Sequence, residues 1–386
     1  MSDNVVCAVY KPYSSSSSVS LYAIVFIVDG VNISVGTPVE ITTTGSSIDQ
    51  FNIVALSPLK AMIVNIHSAF IITVSDTTIT VGTKYTIKSD APYNPSIIKL
   101  TENKVVVICS KVSSSKDALC AVVCTINDTI ITSGTLTEIL KSSSFNYGGH
   151  LTGGVALSKS KVLISYTYSG SLSYFWIHAI VCNISGTTIT KGTDTNITNK
   201  NYAGYSNITP VLLSNGTIVF AHLGNLTSDS LYATACFISD TKITVGTTTE
   251  LLSTATKATN STVTINDDVY IISLCSTNSG SSDSNDIVLT KITLEGLNIS
   301  VNSQKIITFG YTQHNLGLSI HCLNRSNDLC IVYEGSGLYR LGTIIVDNIK
   351  EVSNFILPVD KIAGVANTSG TEGETIEVYV PEEVSV

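Results

Sequence analysis

Asp76-Thr77-Thr78-Ile79-Thr80-Val81-Gly82-Thr83 decides how the rest of the chain is read, because it recurs. Asn32-Ile33-Ser34-Val35-Gly36-Thr37 is one copy. Ile130-Ile131-Thr132-Ser133-Gly134-Thr135, Thr188-Ile189-Thr190-Lys191-Gly192-Thr193 and Lys242-Ile243-Thr244-Val245-Gly246-Thr247 are others. Two worn copies follow: Leu297-Asn298-Ile299-Ser300-Val301-Asn302, without the glycine, and Asp347-Asn348-Ile349-Lys350-Glu351-Val352. The marker glycines Gly36, Gly82, Gly134, Gly192 and Gly246 stand 46, 52, 58 and 54 residues apart. A sustained period of this size marks a repeat array, so the 386-residue length does not imply several independent domains.

Each period holds four β-type runs and no helical spacing. In the second repeat they are Asn52 to Leu56, Lys60 to Ile66, Ala69 to Val74 and Thr78 to Ile87. In the fourth they are Gly154 to Leu157, Lys161 to Tyr168, Tyr174 to Ile184 and Thr188 to Ile197. Third strands are apolar at nearly every position, as in Tyr22-Ala23-Ile24-Val25-Phe26-Ile27-Val28, which suits a strand covered on both faces. Fourth strands alternate Ile or Val with Thr or Lys, which suits an outer strand with one wet face. The marker glycine reads as a bulge in that outer strand, with a positive φ as one cause.

These patterns predict an all-β fold: a seven-bladed β-propeller of four-stranded blades. The first repeat opens on Val5-Val6-Cys7-Ala8-Val9-Tyr10, a second strand with no first strand before it. The run 361–367 is expected to fill that place, closing the ring. Residues 1–370 would form the propeller and 371–386 an acidic strand and tail. Two stacked β-sandwiches or an elongated β-stack is the alternative architecture.

Composition narrows the function. Charged residues make up 13% of the chain, against roughly 25% in an ordinary domain. The net charge is −8, and Glu372, Glu374, Glu377, Glu382 and Glu383 concentrate it at the end. No basic patch offers itself to phosphates, so nucleic acid is not an expected partner. No signal peptide and no apolar run of about 20 residues is present, so no membrane span is expected. The nine cysteines lie mostly in apolar runs without CxxC spacing and read as small core residues in a reduced compartment. Cys120 and Cys124 flank one strand, a weak metal signature, and no cofactor or metal is expected.

Catalytic signatures are missing as well. The six histidines show no HxxxH or HxH spacing, and His178 and His222 read as satisfied core residues. No GxSxG, phosphate loop, sialidase Asp-box, WD or kelch signature is found. The crossover loops are aromatic and polar. Tyr93, Tyr147, His150, Tyr202, Tyr205, Tyr311 and His314 would gather on one face, where Tyr suits glycan or protein recognition. Packing between blades is the plainer role for the same tyrosines.

The phrase Gly364-Val365-Ala366, Thr368-Ser369-Gly370-Thr371-Glu372-Gly373 and Ile376-Glu377-Val378-Tyr379-Val380-Pro381 resembles one found near the ends of tailed-bacteriophage virion proteins. The resemblance covers about twenty residues. It implies a non-enzymatic structural protein of the virion, made in the host cytoplasm and present in many copies. Such a protein would be a tail fibre or baseplate appendage whose loop face binds the host surface. Its partners would be other virion proteins and a host cell-surface glycan or protein. A capsid decoration or head-fibre protein is the alternative, and a glycan-cleaving propeller enzyme a second one.

Overall fold

Runs of β-branched residues separated by two-residue turns leave the backbone one economical arrangement, the antiparallel hairpin. In the computed structural model the hairpins close at Ser75–Thr78, Asn127–Ile130, Ser185–Thr188, Ser239–Lys242 and Glu295–Asn298. The first residue of each turn has positive φ: 52° at Asp76, 54° at Asp128 and Asp240, and 60° at Gly186 and Gly296. Either Asp or Gly stands there because both tolerate the left-handed region. The structure describes residues 5–10, 18–29, 32–45, 51–66, 68–87, 92–111, 117–142, 152–171, 174–198, 210–223, 230–253, 256–265, 268–276, 285–309, 318–323, 328–335, 338–345, 352–357, 365–366 and 378–379.

The strands group into separate, open antiparallel sheets in chain order. The first holds Val5–Tyr10, Ser18–Asp29, Asn32–Val35 and Val39–Gly45. The second holds Phe51–Ser57, Lys60–Asn65, Ser68–Ser75, Thr78–Val81 and Tyr85–Thr86. Pro92–Thr101, Lys104–Lys111, Asp117–Asn127, Ile130–Ser133 and Thr137–Ser142 make the third. The fourth is Thr152–Ser158, Lys161–Ser171, Tyr174–Ser185 and Thr188–Asn196. Val211–Leu212, Thr217–Leu223, Leu231–Ser239 and Lys242–Leu252 form the fifth. The sixth has Thr256–Ile265, Asp268–Ser276, Asn285–Glu295 and Asn298–Phe309. The seventh has Leu318–Leu323, Asp328–Gly335, Leu338–Ile345 and Val352–Leu357.

Consecutive sheets stack face to face, giving a multi-bladed, propeller-like array. Strand alternation supplies a core on each side of a sheet. On Lys161–Ser171, Val162, Ile164 and Tyr166 join Ile98, Val106 and Leu119 of the third sheet. Leu163 faces the other way and joins Ile218, Phe220 and Ala233 of the fifth. Val25 packs with Ile63 and Ile72 across the first junction, and Met62 with Val107 and Val122 across the second. Double-sided burial explains the nearly continuous apolar third strands.

The expected closed seven-bladed ring is not found. Val5–Tyr10 pairs with Ser18–Asp29, while Val365–Ala366 pairs with Val378–Tyr379 in a two-stranded sheet of its own. The segment expected to close the ring thus meets its hydrogen-bonding needs locally. It does so with a strand of the expected acidic tail. It approaches Asn32–Val35, at the outer side of the first sheet, rather than the edge that lacks a first strand. Among the described residues no helix is long and apolar enough to cross a membrane.

The bulge expected at the marker glycine is present, but its cause is different. Gly192 and Thr193 together oppose Val181, and Gly246 and Thr247 oppose Ala235. Gly36, Gly82 and Gly134 donate their N–H to Val25, Ile71 and Val123 at 2.8, 2.7 and 2.9 Å. None of these five glycines has positive φ. Each instead lies against the hairpin turn of the following sheet. A Cβ would stand 2.9 Å from Thr129 Cβ at Gly82, 2.6 Å from Thr187 Cβ at Gly134 and 2.6 Å from Leu297 Cβ at Gly246. The repeated motif is therefore a junction between sheets.

Candidate functional site

The fourth sheet carries a polar and aromatic cluster on the face it turns toward the third. On Lys161–Ser171, Tyr166 and Tyr168 follow Ile164 at alternate positions. On Tyr174–Ser185, Trp176 and His178 precede Ile180 in the same way. The register sets Tyr166 opposite His178 and Tyr168 opposite Trp176. Four ring-bearing side chains thus share one surface across two strands. Their centroids lie 5.8 Å apart for Tyr166–His178, 5.1 Å for Tyr168–His178 and 6.4 Å for Tyr168–Trp176, all tilted.

Asp194 comes in from the outer strand Thr188–Asn196, just past the bulge at Gly192. Tyr166 donates its hydroxyl to Asp194 Oδ1 at 2.7 Å. His178 Nδ1 lies 3.0 Å from both carboxylate oxygens. Burial alone would raise the Asp194 pKa. The hydrogen bonds from His178 and Tyr166, the His178 charge and the Thr195 N–H outweigh it and hold the carboxyl below its ordinary value. Burial pushes the Tyr166 phenol well above its usual range, and its bond to Asp194 adds to this. Tyr166 is fully buried, whereas Tyr168, Trp176 and His178 are half-buried. The arrangement offers an ionised carboxylate, an imidazole and two half-buried aromatic rings around one point.

A different histidine shows the contrast. His222 is buried, with Nε2 3.0 Å from Thr234 Oγ1, which lies 2.9 Å from Thr248 Oγ1, and its ring stacks on Tyr232. It is the satisfied core residue that its apolar strand predicts. His178 is satisfied as well, by Asp194, but is half-buried rather than core, and its partner opens toward solvent: the Asp194 side chain is 36% exposed.

Of the loop-face residues singled out from sequence, Tyr93 lies in Pro92–Thr101, opposite Ser110. Tyr147, His150, Tyr202, Tyr205, Tyr311 and His314 lie outside the described residues. Among the described residues no group of three or more His, Cys, Asp or Glu is placed to hold a metal. The Tyr166–His178–Asp194 cluster was missed because its members come from three strands. The available signal was the spacing of Tyr166 with Tyr168 and of Trp176 with His178, two residues apart on adjoining runs.

No family model and no curated protein matches this sequence. Solved structures similar to the chain include a protein of unknown function from Dyadobacter fermentans, at 13% identity and a TM-score of 0.45, covering 70% of this chain and 83% of that one. An alpha-L-arabinanase of Penicillium chrysogenum, complexed with arabinobiose, is 12% identical with a TM-score of 0.44, covering 81% of this chain and 94% of that one. A GH93 alpha-L-arabinofuranosidase of Fusarium graminearum is 13% identical with a TM-score of 0.43, covering 78% and 94%. The structures named here are glycosidases and a protein of unknown function rather than virion components. The expectation of a non-enzymatic tail fibre, appendage or decoration protein finds no support in any of these comparisons and is withdrawn. Apart from Val365–Ala366 and Val378–Tyr379, the phrase behind that expectation lies outside the described residues.

Proposed function

We propose that this protein is carbohydrate-directed and takes a glycan at the Tyr168–Trp176–His178–Asp194 cluster. The observation that carries the reading is the sharing of one half-buried sheet face by two aromatic rings and a hydrogen-bonded His–Asp pair. Flat aromatic faces cover the apolar C–H faces of a sugar ring at low entropic cost. A carboxylate and an imidazole at the edge accept from and donate to its hydroxyls, which fixes orientation. Cleavage would further draw on a second carboxyl group within roughly 5–10 Å of the first.

Trp176 is the chain's single tryptophan, so its emission reports on this site alone. Titrating the protein with soluble pentose and hexose oligosaccharides should shift or quench that emission saturably, and Asp194→Asn should weaken the response at least tenfold. Reducing-end release by the same glycans reads cleavage in parallel. A full panel that leaves both the emission and the reducing ends unchanged would defeat the proposal.

A further inference from the structure

The third sheet sets two cysteines face to face. Cys109 on Lys104–Lys111 is the register partner of Cys120 on Asp117–Asn127. Both are buried, at 1% and 3% exposure, and pack with Ala118 beneath Leu136. Strand alternation points them to the same side as Val107 and Val122, toward the second sheet. Directly opposite residues in an antiparallel pair hold their Cα atoms about 4.5–5.5 Å apart. A disulfide spans about 4.4–6.8 Å, so the register puts this pair within bridging range. Sequence spacing had singled out Cys120 with Cys124. The register gives Cys120 a different partner.

A cavity lies beside the residue that covers the pair. Leu136, which covers the two thiols, also walls a cavity of about 290 Å³ between the second and third sheets. Tyr85 and Ile87 line it from one side, and Val122 and residues 133–136 from the other. Its polar lining includes Ser133, whose hydroxyl is hydrogen-bonded to the Tyr85 hydroxyl. A space of this size and polarity accommodates water or hydrogen peroxide.

We propose that Cys109 and Cys120 form a cross-strand dithiol that closes to a disulfide when a small peroxide enters this cavity. One thiol gives up its proton and, as thiolate, attacks a peroxide oxygen; the O–O bond breaks, and the leaving hydroxide takes up that proton, so a sulfenic acid and one water result. The second sulfur attacks the sulfenic sulfur, its S–H proton leaving with the displaced hydroxide as a second water. Two thiols thus lose two electrons and two protons, and the peroxide gains them. Burial pushes the Cys109 thiol up to about 12, and Cys120 and Cys124 add to the shift. Thiolate is therefore scarce at neutral pH, and closure is slow there and faster as pH rises.

The native protein is treated with hydrogen peroxide, unfolded in urea with iodoacetamide present to block every remaining thiol, and digested with trypsin without reduction. Cleavage after Lys104, Lys111, Lys116 and Lys141 isolates Cys109 in residues 105–111 and Cys120 with Cys124 in residues 117–141. The expected product is these two peptides joined, two hydrogens lighter than their sum and separated by dithiothreitol. The joined species should vanish in Cys120→Ser and persist in Cys124→Ser. The untreated and unmutated protein is its own folding control, by circular dichroism before and after oxidation. A link through Cys124, a link between two chains, or over-oxidised thiols with no link would each overturn the assignment.

Discussion

At the scale of single residues, glycines in this chain serve two opposite needs. Gly246 has an ordinary backbone but no room: an added Cβ meets Leu297 O at 2.5 Å and Ala235 O at 3.0 Å. Gly296 has open space around it but a φ of 60°. Gly246→Ala forces two sheets apart and should cost about 1–3 kcal/mol. Gly296→Ala strains one turn and should cost about 1 kcal/mol, with Gly296→Asn milder. Urea unfolding of the three variants checks the order. Asp194 gives a residue-scale prediction in pH. Its folded pKa is depressed, so its stabilising contribution is fully present above the ordinary value of 3.8 and is lost as pH falls through the folded value. Asp194→Asn should therefore lower stability at pH 7, and the gap from the parent protein should close below pH 3.8. A gap independent of pH would mean that the charge contributes nothing. The glycines were visible in the sequence as a periodic mark. Their purpose was not, since the crowding atom belongs to a turn about 50 residues away.

The element at issue is the hairpin, and each hairpin couples to its neighbour sheet through its turn. Lys60 Nζ reaches Asp128 Oδ1 at 3.5 Å and its carbonyl at 3.2 Å, and Lys161 Nζ reaches Asp240 Oδ1 at 3.1 Å and its carbonyl at 3.0 Å. Both aspartates are turn residues with positive φ. Their side chains are 80% and 82% exposed, so these ion pairs lie in water. A double-mutant cycle on Lys161 and Asp240 should give a coupling of about 0.2–1 kcal/mol that shrinks in salt. The apolar strands between the turns carry the greater part of the stabilisation. Their thiols follow the same rule: burial pushes Cys7, Cys124, Cys182 and Cys236 up to about 12. Iodoacetamide at pH 7.5 should leave these four unlabelled in the native protein and label them in urea, as read by peptide mass.

Taken whole, the first six sheets form an array in which each presents an apolar face to the next. Nothing in that principle requires the ends to meet, and here Val5–Tyr10 keeps one strand partner while Val365–Ala366 pairs elsewhere. Truncation after Leu357 should thus leave the hydrogen-exchange protection of Val5–Tyr10 unchanged. A loss of protection there would mean that the chain ends are joined in one sheet after all.

The amino-acid sequence by itself determined the apolar strand runs, their grouping by repeat and the turn positions. These depend on local patterns: alternation, β-branched runs, and Asp or Gly where φ must be positive. It also marked the junctions, through a glycine recurring about every 50 residues. Tertiary structure alone decided three things. It gave the C-terminal strand a local partner, because competing pairings of similar apolar runs differ only in what they meet in space. It turned the glycine from a backbone device into a steric one. And it brought Tyr166, Trp176, His178 and Asp194 onto one face, and Cys109 opposite Cys120, because strand register, not sequence spacing, sets which side chains touch.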